Sequence, residues 1–72
     1  MKKAHLIANI PPTRFRSIDG STPKIGDVVV LDQGFTFPDG EPGALVYCMG
    51  QCGEFRWQAE VYESEIGPDI AA

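Results

Sequence analysis

The sequence predicts a small all-β domain, and three observations carry that expectation. Val28, Val29 and Val30 are consecutive β-branched residues. Strict two-residue alternation runs from Phe55 to Tyr62. Gly/Pro-rich turns interrupt the chain at intervals too short for stable helices. Seventy-two residues allow one domain with one small core. Four or five short strands in that length favour a closed barrel over an open sheet, because closure hides strand edges.

The elements follow in order. Residues 4–10 are apolar apart from His5 and Asn9, and end at Pro11-Pro12, which restrict Ile10 and cannot donate to a ladder, so a short strand is expected there. Residues 13–23 are polar and rich in turn formers, among them Asp19-Gly20 and Ser21-Thr22-Pro23, and read as a long connection. Lys24-Ile25-Gly26-Asp27 is a tight entry into a strand over 28–31, apolar on both faces and so expected to be covered on both. Asp32-Gln33-Gly34 breaks it. Phe35-Thr36-Phe37 alternates and places two rings on one face, and residues 38–43 are the strongest turn signal in the chain.

In the next strand Ala44, Val46 and Cys48 point one way and Leu45, Tyr47 and Met49 the other. Gly50 to Gly53 forms a hairpin tip. The clearest amphipathic strand then puts Phe55, Trp57, Ala59 and Val61 on the core face and Arg56, Gln58, Glu60 and Tyr62 on the other. Glu63-Ser64-Glu65 leads to Ile66 through a 3₁₀ turn or a last strand. The expected organisation is an N-terminal strand and basic, turn-rich connection over 1–23, a barrel core over 24–66, and a frayed tail over 67–72.

Charge divides the chain. Residues 1–24 carry five basic side chains against Asp19, a net of +4, whereas residues 25–72 carry only Arg56 against nine acids, a net of −8. An acidic domain repels phosphate backbones, so nucleic acid is a poor partner and a protein with a basic surface a better one. No apolar run approaches the length of a transmembrane helix, and the first residues lack the apolar stretch of a signal peptide. A cytoplasmic protein is the expectation.

No catalytic pattern is present. His5, the only histidine, has no partner in sequence, no serine lies in a nucleophile elbow, and the glycines form no phosphate loop. Neither an enzyme nor a cofactor is expected. Cys48 and Cys52 flank the hairpin tip and admit three states: free thiols, a bridge across the turn, or two ligands of a metal site. A structural metal site needs about four ligands, typically Cys or His; His5 is far away in sequence and Glu54 offers only a carboxylate, a minor ligand of such sites, so no metal is expected. Glu60, Glu63, Glu65 and Asp69 form an acidic edge that faces solvent or the basic N-terminal segment.

The aromatic pair Phe35 and Phe37 is the candidate site. The rings either plug the barrel end or stand exposed. If exposed, they form with Asp39, Glu41 and, at the neighbouring hairpin tip, Glu54 an apolar patch with an acidic rim. Such a patch suits a basic, aromatic-seeking partner segment.

The span Gly26-Asp27-Val28-Val29-Val30-Leu31, followed by Gly34 and by residues 40–46, resembles the opening of SH3-like small barrels of the KOW type. The Phe55–Tyr62 run, with Ala59-Glu60-Val61-Tyr62, resembles the closing strand of small bacterial SH3-like families of unknown function. The likeness covers residues 24–66 and implies a five-stranded SH3-like barrel with an extended N-terminal segment. KOW-type barrels bind nucleic acid through basic loops, and here only residues 2–24 offer such an arm. The expected function is a small acidic protein–protein interaction module. The alternative is a nucleic-acid-binding barrel that uses the basic N-terminal arm.

Overall fold

A computed structural model describes residues 3–67, and among these residues five strands and two short 3₁₀ turns form. The strands are β1 (Lys3–His5), β2 (Phe15–Ser17), β3 (Val28–Thr36), β4 (Pro42–Met49) and β5 (Phe55–Tyr62); the 3₁₀ turns are Pro12–Arg14 and Glu63–Glu65. All pairing is antiparallel, in one sheet ordered β1-β3-β4-β5-β2. The all-β expectation therefore stands. The ladders do not run around a closed ring: β1 and β2 are the two edges. One isolated bridge, Leu6 to Ile66, joins the two ends of the chain. Around it Ile7 N–H donates to Glu65 O at 2.9 Å and Gly67 N–H to His5 O at 2.8 Å.

The meander β3-β4-β5 forms because each link is a tight turn with glycine where the backbone needs positive φ. Gly40 has φ 88° and Gly53 has φ 81°. Asp39 Oδ1 accepts from Glu41 N–H at 3.0 Å and stabilises the first turn. The core lies on one face of the sheet, where Val29, Val46, Cys48, Trp57, Ala59 and Val61 are buried together with Ala4, Leu6 and Ile10. Alternation places these residues inward, as expected for β4 and for the second half of β5.

Five features depart from the sequence reading. The strand expected over 4–10 is confined to Lys3–His5, with Leu6 in a single bridge beyond it and, among the described residues, no ladder partner for the residues leading to Pro11-Pro12. The polar connection over 13–23 contains β2: Phe15 packs against the core while Arg14 and Arg16 flank it, a three-residue alternation too short to stand out. Asp32 does not end β3. It is the extra residue of a β-bulge between Leu31 and Gln33, and the strand continues to Thr36. A second bulge moves the register from Cys48–Trp57 to Met49–Phe55, leaving Arg56 unpaired. Phe55 thereby leaves the face of Trp57 and is 49% exposed, whereas Trp57 is fully buried. Finally, β3 is covered on one face only, since Val29 is buried and Val28 is 49% exposed. Of the expected tail, residues 68–72 lie outside the described residues.

Candidate functional site

The two bulges have the same consequence at opposite ends of the sheet. Each shifts the two-residue alternation by one, so an aromatic ring that would point into the core points outward. Past Asp32, Phe35 comes opposite Gly43, which in turn lies opposite Tyr62. Past Arg56, Phe55 comes opposite Met49. The outer face of the meander therefore carries an aromatic cluster at each end of β4.

The first cluster contains four of the predicted residues. Gly43 has no side chain, and Phe37 folds back over it between Phe35 and Tyr62. The Phe37 and Tyr62 rings stack with centroids 4.0 Å apart, and Phe35 meets Phe37 at 4.8 Å with tilted planes. Tyr62 Oη donates to Asp39 Oδ2 at 2.8 Å. The Glu41 amide first and the Tyr62 hydroxyl second hold the Asp39 carboxyl below its ordinary range. Asp39 in turn pushes the Tyr62 hydroxyl up, chiefly through that hydrogen bond. Phe37 is only 9% exposed, so it supports this surface and offers little area to a partner. Phe35 is half-buried, and Asp39 and Glu41 are exposed.

Arg14, from the basic connection over 13–23, completes this cluster. Its guanidinium lies 4.9 Å from the Tyr62 ring centroid and 5.9 Å from that of Phe37. It is clamped by Glu65 through two bonds, Nη1 to Oε1 at 2.7 Å and Nη2 to Oε2 at 2.8 Å. Glu65 Oε1 also accepts from Tyr62 N–H at 2.7 Å, closing the 3₁₀ turn. Arg14 lowers the Glu65 carboxyl below its ordinary range, and Glu65 raises the guanidinium. The acidic edge thus does face the basic segment, at this point.

Glu54 does not join the other predicted residues. Successive turns of a meander lie at opposite ends of the shared strand: residues 37–41 adjoin Pro42, and the 50–54 tip adjoins Met49. At about 3.4 Å per residue, the eight residues of β4 separate them by roughly 24 Å. There Glu54 Oε2 accepts from Cys52 N–H at 3.1 Å.

The second cluster stands at that end. Phe55 meets Tyr47 at 5.3 Å between centroids, and Tyr47 Oη donates to Asp32 Oδ2 at 3.3 Å. Burial and then the Asp32 charge push the Tyr47 hydroxyl up. Met49, 41% exposed, lies beside Phe55, and Val28 stands on the same face. The outward turn of Phe55 left no local signal in sequence, because the bulge is a cross-strand property.

Over its described residues, the basic segment is not a free arm. β1 and β2 are paired strands, Arg14 is held by Glu65, and Arg56 approaches Asp19 at 3.7 Å and Ser21 Oγ at 2.9 Å. Both thiols are free, Cys48 buried and Cys52 exposed. Among the described residues no three His, Cys, Asp or Glu side chains gather as a metal site, and no helix is long and apolar enough to cross a membrane. No family model, curated protein or solved structure matches the chain.

Proposed function

We propose that this chain is a protein–protein interaction module that docks its partner on the outer face of the β3-β4-β5 meander. One observation carries the reading: Val28, Met49 and Phe55 are each exposed by two-fifths or more and stand beside Tyr47 on a single sheet face. Large apolar side chains grouped on a face that the core does not use are a feature of binding surfaces. The surface runs from Phe35, Asp39 and Glu41 at one end of β4, with Phe37 as their support, to Glu54 and Phe55 at the other. Carboxylates thus rim it at both ends, which favours a partner with basic residues. The internal pairing of Arg14 and Arg56 favours a protein over nucleic acid.

The fold reading belongs to the same proposal: an SH3-like barrel. Three features support it. β3, β4 and β5 form a consecutive meander, a 3₁₀ turn follows β5, and Ile66 then returns to Leu6, just past the first strand.

The test uses Phe55→Ser and Met49→Ser. Both side chains are exposed, so each variant should melt within a few degrees of the wild type. Immobilised wild-type chain should retain a protein from lysate of the source cells that both variants lose. Retention of the same partner by both variants would refute the surface, and so would unfolding of either.

A further inference from the structure

The outer face carries two groups of like composition, a tyrosine, a phenylalanine and an aspartate, one stacked at 4.0 Å and the other tilted at 5.3 Å. At one end Tyr62 stacks with Phe37 and donates to Asp39; at the other Tyr47 meets Phe55 and donates to Asp32. The first group holds a guanidinium, that of Arg14, over its rings, and the carboxylate bonded to it is that of Glu65, with Asp39 occupied by the tyrosine hydroxyl. Over the second, no cation lies among the described residues, and Phe55 and Asp32 are exposed.

We infer that Tyr47, Phe55 and Asp32 form a seat for an arginine side chain supplied by the partner protein. The inference rests on the docking surface proposed above and names the chemistry that one part of it recognises. The Phe55 and Tyr47 rings offer π-faces that attract a cation. Asp32 sits at the tyrosine hydroxyl with its second carboxylate oxygen left to accept from the ligand. Arginine is favoured over lysine because its planar group stacks on a ring and bonds a carboxylate at once, as Arg14 does with Tyr62 and Glu65. The charge fits as well, since residues 25–72 have a net charge of −8 and repel an acidic ligand.

The experiment titrates the full chain with acetyl-arginine amide, acetyl-citrulline amide and acetyl-leucine amide while following assigned NMR resonances. Citrulline keeps the shape of arginine without its charge. Saturable shifts are expected at Tyr47, Phe55 and Asp32 with the arginine probe. Citrulline should bind about two- to fivefold more weakly, the range an exposed cation–π contact supports. Asp32→Asn, which retains an acceptor for Tyr47, should weaken the arginine probe only, and Tyr62 should not respond to any probe. Equal binding of arginine and citrulline, no saturable shift at Tyr47 and Phe55, or no effect of Asp32→Asn overturns the seat. Leucine-probe shifts at Val28 and Met49 alongside any of these results would leave the docking surface standing and remove only the seat. A single-stranded RNA hexamer that shifts the same rings more tightly than arginine would also overturn it, by placing a base on Phe55.

Discussion

Removing the Arg14 clamp should destabilise the protein more than any other surface substitution. Arg14 and Glu65 are 20% and 15% exposed at their side chains, and two short charge-assisted bonds join them. An exposed ion pair contributes about 0–1 kcal/mol. A hydrogen bond to a charged group contributes about 1.5–3 kcal/mol. At this intermediate burial, Arg14→Met should cost about 2 kcal/mol, with Glu65 left partly buried and unpaired. A domain of this size loses roughly 4–8 °C in Tm per kcal/mol, so a fall of about 8–16 °C is expected.

The assay is urea and thermal unfolding of wild type, Arg14→Met, Glu65→Gln and the double variant, read by Trp57 fluorescence. Glutamine can still accept from Tyr62 N–H, so the cycle isolates the ion pair from the turn. A coupling energy of about 1–2 kcal/mol is expected. A value below about 0.3 kcal/mol would show that the pair is solvated and that β2 is held by its ladder alone. Exposed Arg16 serves as a control, and Arg16→Met should stay within about 0.5 kcal/mol of wild type. The pH dependence gives a second check. Glu65 titrates lower in the folded chain than in the unfolded one. Its contribution is therefore complete above the ordinary carboxylate range and is lost as pH falls through that range to the lowered value. Wild type should lose stability across that acid window, and Arg14→Met should lose less.

Three further outcomes are expected. Gly43→Ala should destabilise by about 1–3 kcal/mol, measured by chemical unfolding, because the new methyl meets the Phe37 ring and lies 2.9 Å from Val61 O. Iodoacetamide should modify one cysteine in the native protein and two in urea by mass spectrometry, since Cys52 is exposed while burial shields Cys48 and raises its thiol. Trp57 is fully buried, and its Nε1 has no hydrogen-bond partner among the described residues. Trp57→Phe, which removes that donor, should cost less than about 2 kcal/mol, against about 3–5 kcal/mol for Trp57→Ala, as followed by circular dichroism.

Much of the site was legible, with its members assigned to different places. Phe35, Phe37, Asp39 and Glu41 do gather at one turn, because a tight turn holds its own residues together whatever the rest of the chain does. Glu54 stands apart from them, because antiparallel geometry puts consecutive turns at opposite ends of β4. Alternation places Tyr62 on the outer face, but its stacking on Phe37 depends on Gly43 lying between them across two ladders. Arg14 was out of reach: its partner Glu65 is 51 residues away, and nothing local marks the pair.

The sequence by itself determined the all-β class and the three central strands, though not their full extent. Its β-branched runs, its two-residue alternation and its glycine turns specify an all-β meander and the inward residues of β4, because these depend on backbone preferences and local period. The tertiary structure alone decided which rings reach the surface. One extra residue in a ladder reverses every face beyond it, and where that residue sits is settled by the opposing strand. Asp32 and Arg56 occupy those positions: they decide for Phe35 between plug and surface, and turn Phe55 from expected core outward, so that the two rings mark the two ends of one outward face.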